Sequence, residues 1–185
     1  MKFERTSIGG AVIVEIDPHV DERGFFARTW CAEEFAAAGL PSVVAQSSVS
    51  WNDHRHTLRG MHWQADPYAE GKLVRCTRGA IYDVIVDLRT DSETYLHSFA
   101  IELDETTRRA LFIPPGMAHG FLTLADATEV LYQMDVAYRA DAARGARWDD
   151  PAFAITWPAL PAVISERDRS YADFQPAPLM ARSTS

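Results

Sequence analysis

AIYDVIVDLR, at residues 80–89 of this 185-residue chain, indicates which kind of fold to expect. Its side chains alternate with a period of two, which is typical of a strand in a β-sheet. One face carries Tyr82, Val84, Val86 and Leu88, and the other carries Ile81, Asp83, Ile85 and Asp87. The stretch therefore predicts a β-strand with two distinct faces.

Strand-like runs of the same kind continue on both sides of this stretch. They span residues 11–16, 24–30, 42–50, 57–64, 71–79, 96–103, 109–114, 119–124 and 129–138. Turn signals such as DERG, DPYAEG, TDSE and PPGMAHG separate them. Only residues 31–38, CAEEFAAA, predict a clear helix, which Gly39 should end. Many turn-bounded strands with few helices favour an all-β sandwich or barrel.

The length and the composition limit how the chain is organised. With 185 residues, of which 47% are hydrophobic, the chain can build one sizeable core. We therefore expect a single domain over residues 1–185. The tail after Pro158 is rich in Pro and Ala, and we expect residues from about 175 to 185 to be loosely ordered.

Charge, hydropathy and cysteine usage exclude several classes of partner. The formal net charge is −8 and the aromatic residues are not interleaved with basic clusters, which disfavours nucleic acid. A pocket can still be locally basic and bind a small anionic substrate. No apolar run approaches the ~20 residues of a membrane span, and MKFERTSIGG lacks the apolar region of a signal peptide. Cys31 and Cys76 lack metal-ligand spacing, and we interpret them as free thiols of a cytoplasmic protein.

Two histidines are candidates for chemistry. His62 in RGMHWQ and His119 in PPGMAHG each lie on a strand edge among aromatic or apolar neighbours. The residues alone leave three interpretations open. Each histidine can be a buried packing residue, a proton-transfer group near neutral pH or, together with Glu70, part of a loosely spaced metal triad. His54 and His56 lie in a polar turn, and we interpret them as solvated.

Six longer motifs occur in an order that resembles one known family. They are DERGFFARTW, HTLRGMHWQ, EGKLVRCTRGAIYDVIVDLR, LFIPPGMAHGFLTL, EVLYQ and RWDDPAFAITWP. In these motifs the chain is similar to the dTDP-4-dehydrorhamnose 3,5-epimerases. The resemblance implies a cupin-type double-stranded β-helix, or jelly roll, with short peripheral helices. It also implies an epimerase that needs no metal or other cofactor and works as a homodimer whose partner residues complete each site.

The resemblance implies four catalytic residues for epimerising a nucleotide-linked 4-keto-6-deoxyhexose. The hydrogens at C3 and C5 are α to the carbonyl group, so a base can form an enolate and an acid can reprotonate the opposite face. His62 matches the base, and Asp168 matches the carboxylate that orients it. Tyr132 matches the acid, and Lys72 matches the cation beside the enolate oxygen. On pattern alone, Asp168 would be a helix or turn cap, Tyr132 a core residue and Lys72 a surface charge. Gly60 is expected to let another backbone approach.

The ligand-binding residues carry over less completely. The resemblance implies ligand contacts, besides Lys72, at Arg23, Arg28, Gln46, Ser48, Arg59, His119, Tyr138 and Arg167. Three positions depart from the family pattern, because Arg28 stands where a Glu is frequent, Ser48 where an Asn is usual and Ala143 where some members have a Glu. These departures leave open a different nucleotide or a modified sugar. A metal-dependent cupin enzyme and a non-catalytic sugar-binding jelly roll are the alternatives from other classes.

Overall fold

The structure is a computed structural model that describes residues 1–177. Most of the tail that the sequence analysis expects to be loosely ordered, from residue 178 onward, lies outside the described residues. The strands are β1 Lys2–Arg5, β2 Val12–Glu15, β3 His19–Asp21, β4 Gly24–Phe26, β5 Gln46–Asn52, β6 Thr57–Gln64, β7 Lys72–Arg78, β8 Ala80–Asp87, β9 Ser98–Asp104, β10 Ala110–Ile113, β11 Met117–Thr123, β12 Thr128–Met134, β13 Ala143–Gly145 and β14 Val163–Ile164. The helices are α1 Ala32–Ala37 and α2 Glu166–Arg169.

Two sheets, antiparallel except at one short edge strand, pack face to face. The first sheet has the strand order β1-β2-β10-β7-β12-β5. The second has the order β13-β6-β11-β8-β9, and β14 adds to β6 in parallel. Strands β3 and β4 form a separate hairpin. Between β6 and β12 the chain crosses repeatedly from one sheet to the other, as it does in a jelly roll. The fold class implied by the resemblance is confirmed.

Strand β8, which contains most of the stretch at residues 80–89, is buried on both of its faces. Ile81 and Ile85 point between the sheets and pack into the main core. Val84 and Val86 point outward, where the C-terminal segment covers them through residues such as Phe153. The predicted separation of this strand into two faces is confirmed. Because both faces are covered, an aspartate on the inner face has no direct access to bulk water.

Helix α1 covers the outer face of the first sheet. Its Phe35 side chain is buried among Val14, Leu73 and Phe112. Phe3 of the edge strand β1 meets the Phe35 ring edge-on, with 5.4 Å between the ring centroids. The helix lies within the predicted range 31–38. The outer faces of both sheets are therefore covered, and the space between the sheets is left for the functional site.

The structure differs from the sequence prediction at several strand ends. The run 24–30 contributes only β4, because the chain then turns toward α1, where Trp30 packs 6.1 Å from Phe35. The run 42–50 joins its sheet only from Gln46 onward. The sequence analysis also missed β1, β3, β13 and β14, which have only two to four residues each and are held by pairing with a neighbouring strand. Within residues 1–177, no helix has the length and apolar character needed to cross a bilayer.

Candidate active site

A cavity of about 540 Å³ lies between walls supplied by both sheets. Strands β6 and β11 of the second sheet form one wall, and Lys72 and Tyr132 of the first sheet contribute to the other. The segment from β14 to α2 closes the rim. The cavity brings together the predicted residues Arg59, His62, Lys72, His119, Tyr132, Arg167 and Asp168.

Strand β6 carries Arg59 and His62 on the two sides of a glycine. Gly60 has φ +136°, and a Cβ atom there would lie 2.5 Å from the Cα atom of Gly120 on β11. Only glycine allows the two strands to come so close. As a result, His62 lies directly opposite His119 in the ladder between β6 and β11. The expected close approach at Gly60 is confirmed.

His62 is held by Asp168, which α2 brings to the cavity. The His62 Nε2 atom lies 2.7 Å from Asp168 Oδ1, and the backbone N–H of Gly60 donates to Oδ2 at 3.3 Å. The Ser165 hydroxyl caps α2 by accepting from the N–H of Asp168. Burial acts to raise the pKa of Asp168, but the hydrogen bond from His62 and the other donors lower it below its usual value. An ionised carboxylate at Nε2 favours the Nε2–H form of the ring, which leaves Nδ1 with a free lone pair.

His119 has a carboxylate partner of its own that the sequence analysis did not identify. Asp83 of β8 is fully buried, and its Oδ1 atom lies 2.7 Å from His119 Nε2. Among the described residues, Asp83 Oδ2 is the one buried side-chain polar atom without a hydrogen-bond partner. Asp83 was visible in the sequence as an aspartate between two isoleucines on one strand face. Its partner, 36 positions away, was not.

Tyr132 reaches into the cavity from β12, in the sheet opposite His62. Its ring packs against the main core and lies edge-on to His119, with 6.2 Å between the ring centroids. Burial raises the pKa of the Tyr132 phenol, and a hydrogen bond with Ser50 opposes this shift only in part. The phenol therefore keeps its proton at neutral pH and can donate it.

Lys72 lies at the cavity wall, paired with a buried glutamate. Its ammonium group lies 2.7 Å from Glu70, and the Glu70 carboxylate also accepts from the side-chain amide of Gln64 at 3.0 Å. Glu70 is therefore paired with Lys72, while His62 is hydrogen-bonded to Asp168 and His119 to Asp83. The metal triad that the sequence left open is not formed, and residues 1–177 contain no other cluster of three metal-ligating side chains.

Strand β5 lines the interior with alternate polar side chains. They are Gln46, Ser48, Ser50 and Asn52. Asn52 accepts from Arg59 Nε at 2.8 Å, so the strand holds the guanidinium group in place. Gln46 donates to the Ser48 hydroxyl at 3.3 Å and accepts from the backbone N–H of Tyr138 at 3.0 Å. The predicted contacts Gln46, Ser48 and Tyr138 therefore form one group next to the cavity.

Arg23 and Arg28 lie outside the cavity of their own chain. Arg23 is at the tip of the β3–β4 hairpin, where it pairs with Asp21. Arg28 pairs with Glu34 of α1 at 2.7 Å. Ala143, the third departure from the family pattern, begins β13 beside Gln64. One chain therefore gathers most of the predicted ligand residues in or beside its cavity, but it does not bring Arg23 and Arg28 there.

Comparison with known proteins agrees with this architecture. The model of the dTDP-4-dehydrorhamnose 3,5-epimerase family matches residues 5–176. The chain belongs to that family. A dTDP-4-dehydrorhamnose 3,5-epimerase of Methanothermobacter thermautotrophicus is 40% identical over 181 residues, which cover 96% of this chain and 97% of that protein.

Two solved structures are informative relatives. The epimerase of Bacillus anthracis, with TDP and pyrophosphate bound, superposes with a TM-score of 0.90 at 37% identity and covers 94% of this chain and 99% of its own. A 3′-monoepimerase of Streptomyces bikiniensis, in complex with dTDP-quinovose, superposes with a TM-score of 0.85 at 31% identity. That match covers 92% of this chain and 86% of the other. The chain is therefore similar both to a 3,5-epimerase and to a 3′-monoepimerase.

Proposed function

We propose that the protein is an isomerase that inverts C3, C5 or both of a 4-keto-6-deoxyhexose linked to thymidine diphosphate, for deoxysugar biosynthesis. One observation carries the proposal: a histidine hydrogen-bonded to a carboxylate and a partly buried phenol enter the same cavity from opposite sheets. Inversion needs a base and an acid on opposite faces of one carbon. A module that only binds sugars has no use for this arrangement.

The reaction follows from the geometry. His62 Nδ1 takes the proton from a carbon next to the carbonyl group, and the C–H electron pair moves into the enolate. The Lys72 ammonium group stabilises the negative charge on the enolate oxygen. The Tyr132 hydroxyl then protonates the other face of the carbon, which leaves a phenolate and an imidazolium that exchange protons with solvent. The sugar is neither oxidised nor reduced, so the steps need no electron acceptor.

Deuterium incorporation at C3 and C5 in D₂O tests this mechanism. We expect His62→Ala to lower exchange by about 10²–10⁴-fold, the range for loss of a positioned acid or base. Tyr132→Phe should preserve part of the exchange while epimerised product falls, because removal of the proton needs only the base. His97→Ala, at an exposed histidine, is the matched control. Exchange near the wild-type rate in His62→Ala would show that His62 is not the base.

The proposal also names the nucleotide that carries the sugar. Thymidine is supported by the TDP and the dTDP-quinovose found in the two related structures. The departures at Arg28, Ser48 and Ala143 favour the alternative of another nucleotide or a modified sugar. Competitive turnover of thymidine, uridine, guanosine and cytidine diphosphate 4-keto-6-deoxyglucose separates the two. We expect the thymidine compound to dominate, and a preference for any other would establish the alternative.

A homodimer is also part of the proposal. The β3–β4 hairpin exposes Val20 and Phe26, each 77% accessible, beside Arg23. No strand within residues 1–177 pairs with the outer edge of β5, and the outer face of β5 exposes Val49 and Trp51. Exposed apolar groups concentrated on a hairpin and on an open sheet edge are typical of an interface. We propose that a second copy covers them and receives Arg23 in its cavity.

The cytoplasm is the proposed location. Cys31 and Cys76 are both free thiols, as the sequence analysis expected. Burial raises the pKa of Cys76 to about 12, so this thiol stays protonated and unreactive. Neither thiol depends on an oxidising compartment. Measurement of two free thiols per chain in protein purified without reductant checks this assignment.

A further inference from the structure

Tyr171 is a residue outside the four catalytic candidates that contacts two members of the site. Its ring lies edge-on to His62, with 6.3 Å between the ring centroids. Its hydroxyl accepts a hydrogen bond from Arg167 Nε at 2.7 Å. The guanidinium carbon of Arg167 also lies 5.8 Å from the centre of the Tyr171 ring. One phenol thus touches the proposed base and a cation at the cavity rim.

The backbone provides a specific place for this phenol. A Cβ atom at Gly145 would lie 2.2 Å from Tyr171 Cζ and 2.6 Å from its hydroxyl oxygen. Gly145 ends β13, where it pairs with His62 of β6. Any side chain at Gly145 would therefore push the phenol away from the strand that carries His62. Gly145 and Tyr171 form one packing unit at the rim.

Arg167 is restrained from two sides. The hydrogen bond to Tyr171 raises the pKa of Arg167 most, and Tyr138 adds a smaller contribution of the same kind. The Arg167 side chain is otherwise exposed, so without these phenols it would sample many rotamers. A cation held in one orientation binds an anionic ligand more tightly, because less side-chain entropy is lost on binding.

We propose that Tyr171 is a positioning residue that fixes Arg167 for the diphosphate of the ligand and restrains the His62 ring for proton transfer. The inference rests on the proposed function, since it assigns Arg167 to a nucleoside diphosphate. The hydroxyl acts on binding through Arg167. The ring acts on proton transfer through His62. The two parts of one side chain therefore have separable effects.

Calorimetric titration with TDP and the D₂O exchange assay measure these effects separately. Tyr171→Phe removes only the hydroxyl, and we expect it to weaken TDP binding and raise KM by roughly three- to tenfold, with a smaller change in kcat. Tyr171→Ala removes the ring as well and should also lower kcat. Tyr95→Phe is the matched control, because its hydroxyl also makes hydrogen bonds but to the backbone of Ala177.

A double-mutant cycle tests whether Gly145 acts through Tyr171. Gly145→Ala should reproduce the losses of Tyr171→Ala, because the new methyl group displaces the phenol. Combining the two substitutions should cost no more than Tyr171→Ala alone. Additive losses, or a Tyr171→Phe variant with wild-type TDP affinity and KM, would overturn the proposal. If the wild type binds TDP but exchanges no sugar protons, the proposed function fails, and the TDP affinities alone decide the role of Tyr171.

Discussion

Two carboxylates determine what the two cavity imidazoles can do. Asp168 and Asp83 each bind the Nε2 atom of a histidine at 2.7 Å, so His62 and His119 both turn Nδ1 away from their partners. The environments differ, because the His62 side chain is 38% exposed and that of His119 is 5% exposed. The accessible ring can exchange its proton with solvent. The buried ring is suited to a fixed ligand contact.

Asp83→Asn tests the second of these pairs. Asparagine keeps the volume and an acceptor for His119 Nε2 but removes the charge, so His119 loses a charge-assisted hydrogen bond. We expect kcat/KM to fall about tenfold. The free energy of unfolding should change by no more than about 1 kcal/mol, because Asp83 Oδ2 has no hydrogen-bond partner to lose among residues 1–177. Steady-state kinetics and urea unfolding measure the two effects, with the exposed Asp91→Asn as control. A stability loss without a loss of kcat/KM would make Asp83 a purely structural residue.

At this scale, the sequence allowed prediction of residue types but not of their partners. His62 and Asp168 are 106 positions apart, and only the family resemblance paired them. Glu70 was considered as a metal ligand, yet the structure pairs it with Lys72. The contact of Tyr171 with the site could not be predicted from the sequence, because the ring fits there only if residue 145 has no side chain. Such pairings depend on the order of the strands within each sheet, and the alternation of residues along one strand does not reveal that order.

Individual strands were predictable because successive side chains of a strand point to opposite faces of its sheet, which gives the sequence a period of two wherever the two faces differ in environment. Strand β8 shows this period, and Asp87 is its last residue. Asp87 closes β8 by accepting from both Ser92 and Thr94, as well as from the Arg89 side chain. The carboxylate thereby organises the loop that leads to β9. The sequence placed Asp87 on the same strand face as Ile81 and Ile85 and marked TDSE as a turn, but it did not indicate that Asp87 organises this loop.

Stability at low pH should report on Asp87. Burial acts to raise its pKa, but the hydrogen bonds from Arg89, Ser92 and Thr94 prevail and lower it to about 2. A folded-state pKa below the unfolded value near 3.8 means that the ionised group stabilises the fold above that pH. The contribution, about 2 kcal/mol, is lost as the pH falls from about 4 to about 2.

Urea unfolding between pH 7 and pH 2 measures this contribution. Asp87→Asn should be less stable than the wild type at pH 7, and the difference should shrink as the pH falls toward 2. Asp91→Asn, at an exposed neighbour, is the control and should show no such convergence. A difference between wild type and Asp87→Asn that stays constant over the whole range would contradict the assigned pKa.

The jelly roll explains why the proposed acid and the proposed base come from distant motifs. His62 lies on β6 of one sheet and Tyr132 on β12 of the other, so packing of the sheets sets them face to face. The sequence pattern predicted a sandwich or barrel, and the resemblance narrowed it to a jelly roll. Pairings such as that of β2 with β10 could not be predicted from periodicity, because every strand has the same period. Residues 1–177 of the same chain leave the β3–β4 hairpin uncovered.

Subunit mixing tests whether this hairpin completes the site of a second copy. Arg23→Ala and His62→Ala chains should each be almost inactive alone. In a mixed dimer, one site would receive His62 from one chain and Arg23 from the other, so that site is intact. Random assortment should restore about a quarter of the wild-type activity, since about half of the dimers are mixed and each has one intact site. A mixture of His62→Ala with Asp168→Asn is the control, because these two residues meet within one chain at 2.7 Å and no intact site can form. Absence of recovery with Arg23→Ala, or full activity of that variant alone, would rule out the shared site.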